Sequence, residues 1–224
     1  TVRFALISGL ILILVFSAFI YNRFKLTQKQ KETISLQKEQ TEEQKKEIEH
    51  KQQEIIESIS YAKRLQEAIL PPQEFINKNI TSNFILYKPK DIVAGDFYWA
   101  ERVNDLFFVA AADSTGHGVP GAMVSVVCST ALNRAVKEFK ETLPGKILDK
   151  TRELVLETFE KSESEVKDGM DISLLCIDTA NKNVSWSGAN NPLWYVQNNE
   201  MYEIKADKQP IGKTDHAKPF TTHD

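Results

Sequence analysis

The chain has 224 residues, with 28 Lys and Arg against 31 Asp and Glu, and a formal net charge of −3. That balance gives no electrostatic reason to expect a nucleic-acid partner. A hydrophobic share of 42% and a charged share of 26% are ordinary for a folded protein, and the length suffices for one good core with accessory segments.

From Phe4 to Asn22 there is no charged side chain. At ~1.5 Å per residue a helix over this stretch spans about 28 Å, close to the hydrocarbon thickness of a bilayer. Arg3 precedes it, whereas Arg23, Lys25, Lys29 and Lys31 follow closely, which places the following residues in the cytoplasm. A transmembrane helix within residues 1–22, seated in the membrane through residues 4–22, fits better than a cleaved signal peptide. The apolar run is long, and the basic cluster comes after it.

Residues 23–72 are dominated by Lys, Glu and Gln, without glycine or proline until Pro71-Pro72. Ile34, Thr41, Ile48, Ile55, Ala62 and Ile69 recur at intervals of seven, while the companion positions Lys38, Lys45, Gln52, Ile59 and Gln66 are mostly polar. This pattern predicts a linker helix with a half-formed heptad stripe. A parallel coiled-coil homodimer is expected over a solvated spacer, because a long, highly charged helix is seldom stable alone. The two prolines end it.

A folded domain is expected over residues 80–224. Asn83 to Tyr87 reads as a first strand. The apolar runs Asp91–Gly95 and Leu106–Ala112, joined through Asn104-Asp105, read as a hairpin. A helix is expected over Val119 to Lys140, with Met123, Val126, Val127, Ala131, Val136 and Phe139 in the core. Pro144 opens a second helix to about Lys161, with Ile147, Leu148, Leu154, Val155 and Phe159 inward. After the polar stretch 162–168 come strands at Ile172–Asp178 and Val184–Gly188, then a hairpin from Leu193–Val196 through Asn198-Asn199 to Met201–Ile204. The order fits an α+β sandwich with helices packed on sheets. Cys128 and Cys176 lie in apolar runs and read as buried, reduced thiols.

The hairpin brings Asp96 and Asp113 within reach of each other. Two close carboxylates repel unless a cation lies between them or one holds a proton. Oxygen-rich sites of this kind suit hard cations such as Mg²⁺ or Mn²⁺. Gly116, Gly118 and Gly121 suit a tight turn with close backbone approach, and Pro120 suits the helix start. These residues make a candidate metal site at a strand-to-helix junction.

Gly95-Asp96-Phe97, Ala112-Asp113-Ser114-Thr115-Gly116-His117-Gly118-Val119-Pro120-Gly121-Ala122, Gly188-Ala189-Asn190-Asn191-Pro192-Leu193 and Gln209-Pro210-Ile211-Gly212 follow in order. Together they resemble the SpoIIE-type branch of the metal-dependent (PPM, protein phosphatase 2C-like) serine/threonine phosphatases. The resemblance implies a layered α-β-β-α sandwich and two Mn²⁺ or Mg²⁺ ions held by Asp96, Asp113 and the backbone carbonyl of Ser114. It implies hydrolysis of a phosphorylated protein by metal-activated water. It also implies a bacterial cell-membrane location with a cytoplasmic phosphatase domain, acting on a regulator such as an anti-sigma-factor antagonist. The family pattern continues to an Asp-Gly motif and a final aspartate that this sequence lacks. Further metal carboxylates are therefore expected beyond Asp224, and a first residue that is not methionine leads to the same expectation of a longer protein.

Each assignment has a plainer alternative. An aspartate before a glycine-rich turn can simply cap it. His117 could protonate the leaving seryl oxygen. The sibling phosphatases place their histidine two residues after the aspartate rather than four, so ordering of the turn is an equal reading. Asp171 is either a third carboxylate or a turn residue, and Asn190 and Asn191 set a loop. The competing function is a non-catalytic scaffold that binds a phosphorylated partner or dimerises.

Overall fold

The computed structural model describes residues 2–160 and 168–224. The chain divides into two units, Thr1–Ile56 and Glu57–Asp224. Helix α1 runs over Val2–Glu67. Its apolar stretch has a mean hydropathy of 1.9 with none of it buried, so by length and composition it can cross a membrane. The heptad residues Ile34, Ile48 and Ile55 are exposed. Same-face pairs such as Lys45–Glu49 and Lys51–Glu47 support the helix locally, by a few tenths of a kcal/mol each. α1 ends before the prolines: Ile69 and Leu70 donate to the carbonyls of Gln66 and Glu67, a tightened 3₁₀-type finish.

In the second unit a short helix, α2 (Gln73–Asn79), precedes a four-stranded antiparallel sheet of β1 (Phe97–Val103), β2 (Leu106–Ser114), β3 (Met170–Asp178) and β4 (Asn183–Ala189), in that spatial order. Between β2 and β3 run α3 (Gly118–Lys137) and α4 (Pro144–Glu160). Alternation along each strand decides the layers. Phe97 and Trp99, then Phe108, Ala110 and Ala112, then Ile172, Leu174 and Cys176 face the helices and pack with Cys128, Leu132, Ile147, Leu148 and Val155 in one buried cluster. Each large side chain there contributes about 1.5–3 kcal/mol by leaving water. On the opposite face Ile76 and Phe75 of α2 pack on Ala100 and Phe107. β5 (Leu193–Gln197) and β6 (Glu200–Ile204) form a separate two-stranded sheet. The C-terminal segment pairs back onto the main sheet through the bridges Met170–Ile211, Ala189–Asp207 and Trp186–His223.

The α+β class is as expected, and several local readings are corrected. Residues 83–87 form no strand: Phe84 and Leu86 are 90% and 86% exposed, and the segment has no ladder partner among the described residues. The first strand of the hairpin is the aromatic run Phe97–Val103, not Asp91–Gly95, which forms bends. Gly95 is pressed against the backbone of Gly116 and Ser114, which leaves no room for a side chain there. Met123 and Phe139 are 62% and 44% exposed: Met123 lies off the buried face of α3, which carries Ala122, Ser125, Cys128, Leu132 and Ala135, and Phe139 lies beyond the end of the helix at Lys137, short of the expected Lys140. The expected end of α4 at Lys161 and the polar stretch to residue 167 lie outside the described residues. Both cysteines are buried and free, and burial pushes the Cys128 thiol up to about 12 and the Cys176 thiol up to about 11.

Candidate metal centre

The site is built at one end of the sheet by strand register. Phe97 pairs with Ala112, so Asp96, one residue before β1, falls beside Asp113 near the end of β2. Asp113 pairs in turn with Asp171 of β3. On β2 the odd positions Val109, Ala111 and Asp113 face away from α3 and α4, and Asp171, Ser173 and Leu175 do so on β3. Three carboxylates therefore form a row, from Asp96 at the entry to β1 across Asp113 of β2 to Asp171 of β3, on the face away from the helices. Asn190 ends the row, donating from Nδ2 to Asp171 Oδ1 at 2.8 Å.

Like charges at this spacing oppose one another. The carboxyl of Asp113 is held above the usual range, first by partial desolvation, then by its side-chain hydrogen bond with Asp96 and the charges of Asp96 and Asp171. Among the described residues, no group of three or more His, Cys, Asp or Glu is gathered closely enough to hold an ion. The donor set nonetheless fits a hard cation, since close carboxylates whose mutual repulsion favours a proton are also relieved by a divalent ion.

Backbone packing holds the row together. The Ser114 hydroxyl, 2% exposed, bonds the carbonyls of Gly95 at 2.6 Å and Gly121 at 3.1 Å. A Cβ on Gly95 would come within 2.6 Å of the Gly116 carbonyl and 2.8 Å of the Ser114 carbonyl, so the three segments meet with no side chain between them. Gly116 turns the chain at φ +92°. Thr115 clamps the entry to β3, its amide donating to the Gly169 carbonyl at 2.9 Å and its hydroxyl accepting from the Gly169 amide at 3.1 Å.

His117 precedes α3, makes no capping bond, and is 82% exposed; its Nδ1 lies 3.4 Å from Asp91 Oδ2. Asp96 and Asp113 open into a cleft of about 780 Å³ bordered by Leu86, Tyr87, Tyr98, Ala111, Leu175 and Leu193. Tyr87 donates to the Asp96 carbonyl at 3.2 Å, and burial, then the Asp96 charge, pushes its hydroxyl above the usual phenol value. Behind Asp113 and Asp171 a smaller hollow of about 300 Å³ reaches Pro210. The third-carboxylate alternative for Asp171 matches its place beside Asp113, whereas the contact of Tyr87 with Asp96 was missed in the sequence. Only the alternation of β3 around Asp171 carries a readable signal, while nothing local marks Tyr87.

The SpoIIE family, described as stage II sporulation protein E, matches residues 104–224. That is more than half of the chain, and the chain belongs to this family of PP2C-type phosphatase domains. Among solved structures it is similar to the SiaA-PP2C domain of Pseudomonas aeruginosa, at 28% identity and a TM-score of 0.63, over 77% of this chain and 67% of that one. Lower similarity extends to the phosphatase domain of SpoIIE from Bacillus subtilis, at 15% identity and a TM-score of 0.46, over 58% of this chain and 37% of that one. The RsbU and RsbW domains of a Mycobacterium tuberculosis protein give 16% identity and a TM-score of 0.47, over 60% of this chain and 36% of that one. No curated protein matches.

Proposed function

We propose that the chain is part of a membrane-tethered, signal-regulated phosphatase acting on phosphoserine or phosphothreonine in a cytoplasmic protein. The observation that carries this reading is the carboxylate row Asp96–Asp113–Asp171 on the open face of the sheet in a SpoIIE-family domain. Residues 1–22 would anchor it, residues 23–72 would pair two copies as a coiled coil, and residues 80–224 would form the catalytic domain.

Asp96, Asp113 and the Ser114 carbonyl would hold Mn²⁺ or Mg²⁺, with Asp171 beside them and further carboxylates beyond Asp224. Two bound divalent ions supply an activated water and neutralise phosphoryl charge. The chain's own residues do the rest. Ser114, Gly95 and Gly121 fix the carboxylates in register, and Asn190 orients Asp171. The cleft beside Tyr87 and Leu86 offers an apolar bed for a substrate segment. His117 either protonates the leaving oxygen or orders the turn through Asp91.

The test is turnover of a phosphoprotein by the full-length protein, with and without Mn²⁺, beside Asp113→Asn. Metal-dependent turnover that the substitution abolishes supports the enzyme. The scaffold reading draws on the absence of a tightly gathered ligand group among the described residues. It would be established by a folded full-length protein that binds a phosphorylated partner without hydrolysing it.

A further inference from the structure

The last buried residue of α1 is polar. Gln66 is 4% exposed, whereas Leu65 beside it is 56% exposed. Its Oε1 accepts from the Ala94 amide at 3.1 Å, and its Nε2 donates to the Ala94 carbonyl at 2.5 Å. A primary amide that meets both main-chain groups of one residue does what a neighbouring strand would do, and here it does so for a residue that is itself only 7% exposed. The same Nε2 donates to Ser125 Oγ of α3 at 2.9 Å, and Ser125 passes the bond on to the Ala122 carbonyl at 2.8 Å.

These bonds close a ring around the candidate centre. Ala94 leads by one peptide to Gly95, whose carbonyl accepts from Ser114. Ala122 leads back by one peptide to Gly121, whose carbonyl also accepts from Ser114. Gln66 and Ser114 thus both tie the segment before Asp96 to the turn after Asp113, one from each side. Ser114 belongs to the site's own strand. Gln66 arrives from α1, across sequence separations of 28 and 59 residues.

We infer that Gln66 is a positioning residue for the Asp96–Asp113 pair: its amide fixes the Ala94-Gly95-Asp96 segment against α3 and so sets the separation of the two carboxylates. This rests on the metal-centre reading above. A structural glutamine would stabilise the fold without changing cation affinity. A positioning one controls affinity, as groups that orient metal ligands do, by about 10–100-fold.

The test uses the full-length protein in detergent micelles with Mn²⁺ alone, followed by electron paramagnetic resonance, and amide hydrogen exchange in parallel. Gln66→Met keeps the length and loses every hydrogen bond. It should weaken Mn²⁺ binding about tenfold or more and speed exchange at residues 94–96 while β3 and β4 keep their protection. Gln66→Glu keeps the acceptor for the Ala94 amide and loses the donor to its carbonyl, so it should fall between Gln66→Met and the wild type. Ser125→Ala cuts one arm of the ring and should give a smaller loss than Gln66→Met. Should Gln66→Met not fold, the graded order of Gln66→Glu and Ser125→Ala decides in its place. Mn²⁺ affinity within twofold of wild type in the folded variants overturns the inference and leaves the metal centre standing. A wild type that neither binds Mn²⁺ nor turns over a phosphoprotein removes the metal-centre reading, and the inference with it.

Discussion

Asp113 gives a prediction about the metal-free protein whose sign follows from its surroundings. Its carboxyl binds a proton more tightly in the folded chain than in the unfolded one, because of partial desolvation and the neighbouring Asp96 and Asp171. The contribution is therefore fully present below the unfolded carboxylate value, about 3.9, and is lost as pH rises through the raised folded value. Above that window the ionised side chain opposes folding. The site is open to water, so each like-charge neighbour is discounted to the lower part of the cross-strand range, and two of them amount to about 0.5–1 kcal/mol. For a domain of this size 1 kcal/mol corresponds to about 2–4 °C in Tm. Asp113→Asn should then raise the Tm of chelator-treated protein by about 1–4 °C at pH 7 and by almost nothing at pH 4. High salt should shrink the difference. Asp178, held below the usual range first by the Asn181 amide, gives the opposite pH slope in both proteins and cancels in the comparison. Differential scanning calorimetry in EDTA across pH 4–7 provides the measurement. A variant less stable than wild type at pH 7, or a difference independent of pH, would refute the like-charge account of the row.

Gly95→Ala drives a methyl into the Gly116 and Ser114 carbonyls, which are backbone and cannot move aside; a loss of about 1–3 kcal/mol in urea unfolding is expected, together with weaker Mn²⁺ binding. The Ser187 hydroxyl is wholly buried and is the one side-chain polar atom among the described residues recorded as buried without a hydrogen-bond partner. Ser187→Ala should accordingly be neutral or stabilising, by up to about 1 kcal/mol in the same assay. For His117→Asn, a general acid predicts loss of the alkaline limb of the kcat profile, whereas a turn-ordering residue predicts a uniform drop; an unchanged profile and rate exclude both roles.

The placement of Asp113 and Ser114 at the end of β2 was legible because they lie in one short, strongly patterned run, and the two-residue turn Asn104-Asp105 fixed the partner strand, with Asn104 at φ +54°. The strand on the other side was misplaced by several residues. Asp91–Gly95 is apolar, but what decides there is backbone contact between Gly95, Ser114 and Gly116, which hydrophobicity does not encode. Met123 fell on the exposed side of α3, and Phe139 beyond its end at Lys137. The heptad arithmetic put Gln66 on a coil seam, yet its amide is buried against Ala94 and Ser125. A polar side chain that penetrates a core is chosen by partners far along the chain, and local periodicity is blind to those.

The register of β1, β2 and β3 decides whether the carboxylate row exists at all. Asp113 and Ser114 are consecutive and point to opposite faces: the carboxyl opens to the cleft while the hydroxyl, 2% exposed, locks Gly95 and Gly121 from within. A slip of one residue in β2 would exchange them, burying a carboxylate among apolar side chains and turning the lock outward. Such a slip is opposed at the far end of the hairpin. There Arg102 Nε donates to the Asn104 carbonyl at 3.0 Å, and Arg102 Nη1 donates to Asn79 of α2 at 2.6 Å. The Asp105 carbonyl accepts from both the amide and the hydroxyl of Thr179, at 2.9 and 2.7 Å. The turn is thereby fixed to its two neighbours, α2 on one side and the end of β3 on the other. Because β3 is also the strand that carries Asp171, the contacts that hold the turn simultaneously set the alignment of β3 against β2. Asp171 therefore meets Asp113 for the same reason that Asp96 does, and the row is a property of the sheet's register rather than of any one loop.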